Sequence, residues 1–357
     1  MKILLIGFFT RTYMPYLNKY EKLLKDQNID YDILFFDRDT TSDKLLIERN
    51  EYTYCHMTTT SRLKKMLPVF RYKKILVNLI KKNKYDKLII FTTMPAILIK
   101  SSLLNEYKGK YIYDYRDATY EHYSFFKKWV NDIINCSSLT VMSSRGFLNF
   151  LNDNKKIVFN HNISNISDRE SLAEDLQRIS TINIGFLGYV RYFDVNSVLI
   201  RGLKNDSKYT LTYIGVPFSD CDLKRYADEI GAQNVTVIGK YDNNNKARLY
   251  SNIHIINSMY SLNSSEVQYA IPNRLYDAAL FKKPLMTTKG TYLSEVVKKY
   301  GLGFSVDPFN DDIKEVINDY IRNFDPEKFS IKCEKFLLEV FEDEKKVDKA
   351  IIYFLKN

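Results

Sequence analysis

No apolar run in this 357-residue sequence approaches the ~18 residues that a membrane-spanning helix needs. The first apolar stretch, Lys2-Ile-Leu-Leu-Ile-Gly7, is too short and too soon interrupted for a secretory h-region, so a cytoplasmic protein is expected. Cysteine is scarce and scattered: Cys55, Cys136, Cys221 and Cys333 form no C-x-x-C pair and no cluster with histidine at zinc spacing. Four free thiols and no structural metal follow. A dinucleotide fingerprint is missing too. The loop after the first run, Gly7-Phe8-Phe9-Thr10-Arg11, has one glycine rather than G-x-G-x-x-G, and no P-loop occurs anywhere, which speaks against a dinucleotide or ATP in the first half. Low-complexity segments are also absent, and 45% hydrophobic with 27% charged residues is the balance of a chain that folds throughout. At this length two domains are expected, each able to bury its own core.

What the chain does have is positive charge, +10 in total and unevenly placed. Between Ser61 and Lys87 ten Lys/Arg stand against Asp86 alone, interleaved with apolar residues. This stretch fits solvated helix faces, or a peripheral docking surface for anionic lipid or a lipid-phosphate acceptor at the inner face of the plasma membrane. Nucleic acid is disfavoured, because no nucleic-acid motif accompanies the charge.

Short Ile/Leu/Val/Phe/Tyr runs recur through the first half: Lys2 to Phe9, Tyr31 to Phe36, Lys87 to Thr92, Tyr111 to Tyr115, Leu139 to Met142 and Ile157 to Asn160. A second series covers Ile182 to Tyr189, Tyr209 to Ile214, Val235 to Ile238, Ile253 to Ile256, Pro284 to Thr287 and Gly303 to Val306. Strands alternating with helix-length segments imply βαβ units, hence an α/β chain of two Rossmann-like, doubly wound parallel-sheet domains. The boundaries expected are 1–165 for the first domain, a polar linker over 166–181, 182–335 for the second, and a terminal helix over 336–357 returning to the first.

Ligands of parallel sheets gather beyond the carboxyl ends of the strands. In Gly185-Phe-Leu-Gly188-Tyr-Val-Arg191 the glycines permit close backbone approach and the guanidinium suits a diphosphate, although a plain strand-end glycine and a surface arginine would look the same. In Ala270-Ile-Pro-Asn-Arg-Leu-Tyr-Asp-Ala-Ala-Leu-Phe-Lys-Lys-Pro-Leu-Met286, Pro272 suits the first turn of a helix whose positive end favours phosphate. Asn273 and Arg274 follow, and Asp277 lies one turn on, where a carboxylate could accept two ribose hydroxyls.

This segment, through Glu295, resembles the donor-binding helix and strand of retaining glycosyltransferases with the GT-B fold, family 4 type. The match continues in Gly185 to Arg191, in Val237-Ile-Gly239-Lys240-Tyr241, and in Tyr113-Asp-Tyr-Arg-Asp117, Ser143-Ser-Arg-Gly-Phe147 and Asn160-His-Asn162. The resemblance implies a metal-free hexosyltransferase of capsule or surface-polysaccharide assembly, without a cofactor. It would take a UDP- or GDP-sugar as donor and a saccharide or lipid-linked saccharide as acceptor. It puts Asp277 on the ribose, Arg191 on the diphosphate beside Gly188, and the Gly239–Lys240 backbone on the base. Two positions depart from the pattern: Tyr269 stands where the family has a glutamate, with Glu266 three residues earlier, and Asp277 is not a glutamate. A sugar-nucleotide epimerase of the same fold and a catalytically silent nucleotide-sugar-binding partner are the alternatives.

For the first half, Arg11, Arg116, Asp117 and His161 are candidates for the acceptor, with Asp117 or His122 orienting or deprotonating its hydroxyl. The competing reading makes Asp117 a helix cap and His161 a loop residue. Asp37-Arg38-Asp39 and Asp220-Cys221-Asp222 have D-x-D form but no companion ligands, so neither is read as a metal site. Phe125, Phe126, Trp129, Val130, Ile133 and Ile134 read as a core-facing helical stripe.

Overall fold

The structure, a computed structural model, describes residues 1–40, 43–57, 66–161, 163, 172–218, 221–242 and 245–357, the side chains of 39 and 57 excepted. The first five residues of the basic stretch, Asp220, the Asp39 side chain and most of the first half of the expected linker therefore lie outside the described residues. The chain divides into two compact units, Met1–His161 with Glu342–Asn357, and Asn162–Phe341.

The strands of the first unit are β1 (Lys2–Ile6), β2 (Asp30–Thr40), β3 (Lys44–Glu48), β4 (Glu51–Met57), β5 (Lys87–Phe91), β6 (Tyr111–Tyr115), β7 (Leu139–Met142) and β8 (Ile157–Phe159). They form one sheet in the order β3-β4-β2-β1-β5-β6-β7-β8, parallel throughout except for β3 against β4. The central strands KILLI, KLIIF and YIYDY are almost wholly buried, as continuous apolar runs in a parallel sheet should be. β3 and β4 are additions to the expected strands. β3 is exposed along its whole length, and β4 carries polar residues at Glu51, Thr53 and His56, so neither shows the buried apolar run by which the others are recognised. Ile3, Leu5, Ile33, Phe35, Ile89, Ile112 and Val141 make the core of this unit, joined by Val347, Ile351, Phe354 and Leu355 from the final helix, Pro326–Lys356.

The second unit contains β9 (Ile182–Leu187), β10 (Tyr209–Ile214), β11 (Val235–Ile238), β12 (Ile255–Asn257), β13 (Leu285–Thr288) and β14 (Gly303–Val306). Their order is β11-β10-β9-β12-β13-β14, with every pairing parallel. Chain order reverses between β9 and β12, so the crevice where such sheets collect ligands opens beyond the carboxyl ends of these two strands. The final helix begins in this unit and gives Phe329, Cys333, Phe336, Leu337 and Val340 to its core. Among the described residues no helix is long and apolar enough to cross a membrane.

Candidate functional site

At the carboxyl end of β9 the chain turns through Gly188, at φ 130°, and Tyr192, at φ 61°, before entering the helix Phe193–Gly202. A tyrosine in the left-handed region is strained and persists only where its surroundings hold it. Here Asn196, fully buried, holds it by donating from Nδ2 to the carbonyls of Arg191 (2.9 Å) and Tyr192 (3.0 Å). Asn257 at the end of β12 in turn donates to Asn196 Oδ1 at 2.9 Å. The glycine loop is thus clamped from the strand across the crevice.

Beyond β12 the helix Asn273–Leu280 starts after Pro272, which is the extended N-cap (ψ 156°) rather than a first-turn residue. Arg274 lies buried over the crevice. Its Nη1 donates to Leu187 O at 3.0 Å and its Nε to Ser258 Oγ at 3.1 Å, while its guanidinium rests 4.0 Å above the Phe186 ring. A β-carbon on Gly188 would sit 3.2 Å from Arg274 Nη1, so the glycine makes the room this arginine occupies.

Asp277, three residues on, faces a partner that the sequence did not reveal. Lys246 Nζ donates to both carboxylate oxygens, at 3.0 Å to Oδ1 and 2.8 Å to Oδ2, and Tyr250 OH donates to Oδ2 at 2.9 Å. Tyr241 closes the group: burial pushes its phenol up, the Asp277 charge adding to the shift and the Arg274 charge opposing it. Gly239 and Lys240 are exposed at the end of the edge strand β11.

Arg191 reaches Glu266, with Nη1 3.2 Å from Oε1, and Tyr192 OH donates to the other oxygen at 2.6 Å. Burial lowers the Arg191 pKa, but the Glu266 charge together with Tyr192 and Tyr260 outweighs it and leaves the guanidinium above its ordinary value. Arg191 Nε is buried with no hydrogen-bond partner among the described residues, a donor left for a ligand to satisfy. Tyr269 is itself buried, and Glu266 is bonded to this loop through Arg191 and Tyr192.

The candidates of the first unit do not gather into one group. Arg116 is buried and bonded to Asp114 (Nη2 to Oδ2, 2.9 Å) and to Asn160 Oδ1 (2.6 Å). Asn160 and the His161 backbone bind Glu344 of the final helix, and His161 Nε2 lies 3.3 Å from Asp343. Burial pulls the His161 pKa down, with Asp343 opposing. Asp117 is exposed, its carbonyl accepting from Thr93 Oγ1 at 3.2 Å, and His122 lies against Tyr123 with ring centres 4.0 Å apart and planes tilted by 46°. Arg11 is bound by Glu21 and Glu51 beside a polar cavity of about 750 Å³. Of the D-x-D segments, Asp222 caps the helix Leu223–Ile230, accepting from the Arg225 amide at 3.0 Å.

No family model matches the sequence, and no curated protein matches it. Solved structures do. Sucrose-phosphate synthase from Thermosynechococcus elongatus is similar over 100% of this chain and 97% of its own, at 12% identity and a TM-score of 0.66. The lipopolysaccharide outer core galactosyltransferase WaaB is similar over 99% of both chains, at 15% identity and a TM-score of 0.66. Anabaena HepE, solved with UDP and glucose, is similar over 98% of this chain and 99% of its own, at 13% identity and a TM-score of 0.66. The chain has the GT-B fold of these proteins.

Proposed function

We propose that the protein is a glycosyltransferase that moves a sugar from a UDP- or GDP-type donor to a hydroxyl of a surface-glycan or lipid-linked saccharide. In this reading it works with retention and without a metal or other cofactor, at an anionic membrane surface. One observation carries the reading: Arg274 spans the switch point of the second sheet, fixed to the ends of β9 and β12, with Gly188 making room for it. As the glycosidic C–O bond breaks, its electrons leave with the diphosphate, and a new C–O bond forms to the acceptor oxygen, which gives up its proton. Arg274, Arg191 and the N-terminus of the helix Asn273–Leu280 meet the growing negative charge, each such donor contributing about 3 kcal/mol in the transition state. Asp277 takes the ribose, Gly239 and Lys240 the base, Glu266 the sugar or the Arg191 guanidinium, and Asp117 or His122 the acceptor hydroxyl. Support for the donor class comes from HepE, described in complex with UDP and glucose, and for the acceptor class from WaaB, described as a lipopolysaccharide galactosyltransferase.

The test is a panel of nucleotide sugars with membrane-lipid extract, products read by mass spectrometry, with and without EDTA. Transfer should survive chelation. Arg191→Ala should slow single-turnover transfer by about a hundredfold while weakening nucleoside diphosphate binding far less, because its contact strengthens as charge develops. Wild-type turnover in Arg191→Ala, or activity lost to EDTA and restored by magnesium, rules the mechanism out; conversion of the donor sugar without acceptor would mean an epimerase.

A further inference from the structure

The carboxylate assigned to the ribose is already heavily engaged. A carboxylate offers about four acceptor positions, two on each oxygen. Asp277 Oδ2 takes Lys246 Nζ at 2.8 Å and Tyr250 OH at 2.9 Å, which fills it. Among the described residues Oδ1 takes only Lys246 Nζ, at 3.0 Å. Just 2% of the Asp277 side chain is exposed, against 9% for Lys246, so little of the carboxylate is left open to a ligand. The ion pair also orients the carboxylate, since a buried charge with two donors on one oxygen and one on the other has a single satisfied rotation.

We infer that Lys246 is a positioning residue for nucleotide recognition: by holding both oxygens of Asp277 it leaves one acceptor site, through which a single ribose hydroxyl of the nucleoside diphosphate is read. This rests on the nucleotide-binding reading above and departs from the two-hydroxyl grip that an unengaged carboxylate would provide. The other hydroxyl goes unread by Asp277. Tyr250 acts alongside Lys246, because its phenol, held far above its ordinary pKa mainly by burial, stays a donor and keeps Oδ2 closed.

Calorimetry of the full chain with UDP, GDP and the 2′-deoxy and 3′-deoxy forms of whichever binds tests this. One deoxy form should bind about tenfold or more weakly, the loss of a hydrogen bond to a charged group, and the other within about threefold of the parent. Lys246→Met should bring the two deoxy forms to similar affinity by releasing the carboxylate, and Lys246→Arg should restore the difference. Tyr250→Phe reopens Oδ2 while keeping the ion pair and the ring, and should make both deoxy forms weak; it serves where Lys246→Met fails to fold. Equal penalties for both deoxy forms in the wild type, or no penalty for either, overturn the inference while leaving nucleotide binding intact. A folded Lys246→Met protein with the wild-type pattern overturns it as well. Absence of any binding by UDP or GDP removes the donor reading and this inference with it.

Discussion

Gly215 and Gly188 meet across neighbouring loops at backbone angles that L side chains rarely adopt, φ 142° and 130°. A β-carbon on Gly215 would fall 1.7 Å from Gly188 O, a clash with backbone that no rotamer relieves. Gly215→Ala should therefore cost several kcal/mol, about the range of severe backbone mutants, and be read as a large fall in melting temperature. At Gly188 the new methyl would meet the movable Arg274 Nη1 at 3.2 Å, so Gly188→Ala should cost less stability but weaken nucleoside diphosphate binding by displacing that guanidinium. A folded Gly188→Ala protein with wild-type affinity would remove Arg274 from the donor site. Both Gly188 and Arg274 were legible in the sequence, because a glycine at a strand end and a basic residue after a helix-starting proline are local signals. Lys246, Asn196 and Asn257 were not. Their partners lie 31 and 61 residues away along the chain, and a lone Lys or Asn in a loop-to-helix segment looks like any solvated surface residue.

At the scale of elements, periodicity located all the central strands but decided helix faces less well. In Ser124–Cys136 the buried residues are Phe126, Val130, Ile133 and Ile134, whereas Phe125 and Trp129 are exposed and stack edge to face at 5.3 Å. Six apolar residues within ten made the expected core stripe wider than the helix buries. A comparable ambiguity surrounds the helix Met66–Asn83, the described part of the basic stretch. It carries Arg71, Lys73, Lys74, Lys81 and Lys82 with no acidic residue, and Met66, Leu67 and Phe70 project from its first turns more than half exposed. A basic helix that leaves apolar side chains in water suits an anionic lipid surface, where each lysine near the surface is worth about 1 kcal/mol. Vesicle flotation should recover the protein on anionic but not neutral vesicles, and salt should release it. Changing Lys64, Lys65, Lys73 and Lys74 to Gln should abolish most of the binding, and Leu67→Ser with Phe70→Ser should reduce it at unchanged charge. Equal recovery on both vesicle types would leave the stretch as a solvated face.

For the whole molecule the final helix, Pro326–Lys356, matters most, because it completes both cores in turn. Helical spacing in the sequence announced it, but not where its allegiance changes, since Phe336, Leu337 and Val340 pack in the second core and Val347 in the first. The change falls at Phe341 and Glu342, followed by Asp343 and Glu344, which bind Arg145, His161 and Asn160 of the first unit. Those polar bonds fix the register that places the next apolar residues against β1 and its neighbours. Stopping the chain after Lys346 keeps the polar anchors but deletes Val347, Ile351, Phe354 and Leu355, none more than 4% exposed. At about 1.5–3 kcal/mol for each buried side chain the loss is about 6–12 kcal/mol, comparable with the whole stability of a domain. The truncated protein should lose amide-exchange protection in β1, β5 and β6 while retaining it in β9, β10 and β12, whose share of the helix ends at Phe341. Hydrogen exchange read by mass spectrometry distinguishes the outcomes. Protection lost equally from both sheets would mean that the units unfold as one, and protection kept in β1 would mean that the first core closes without the helix.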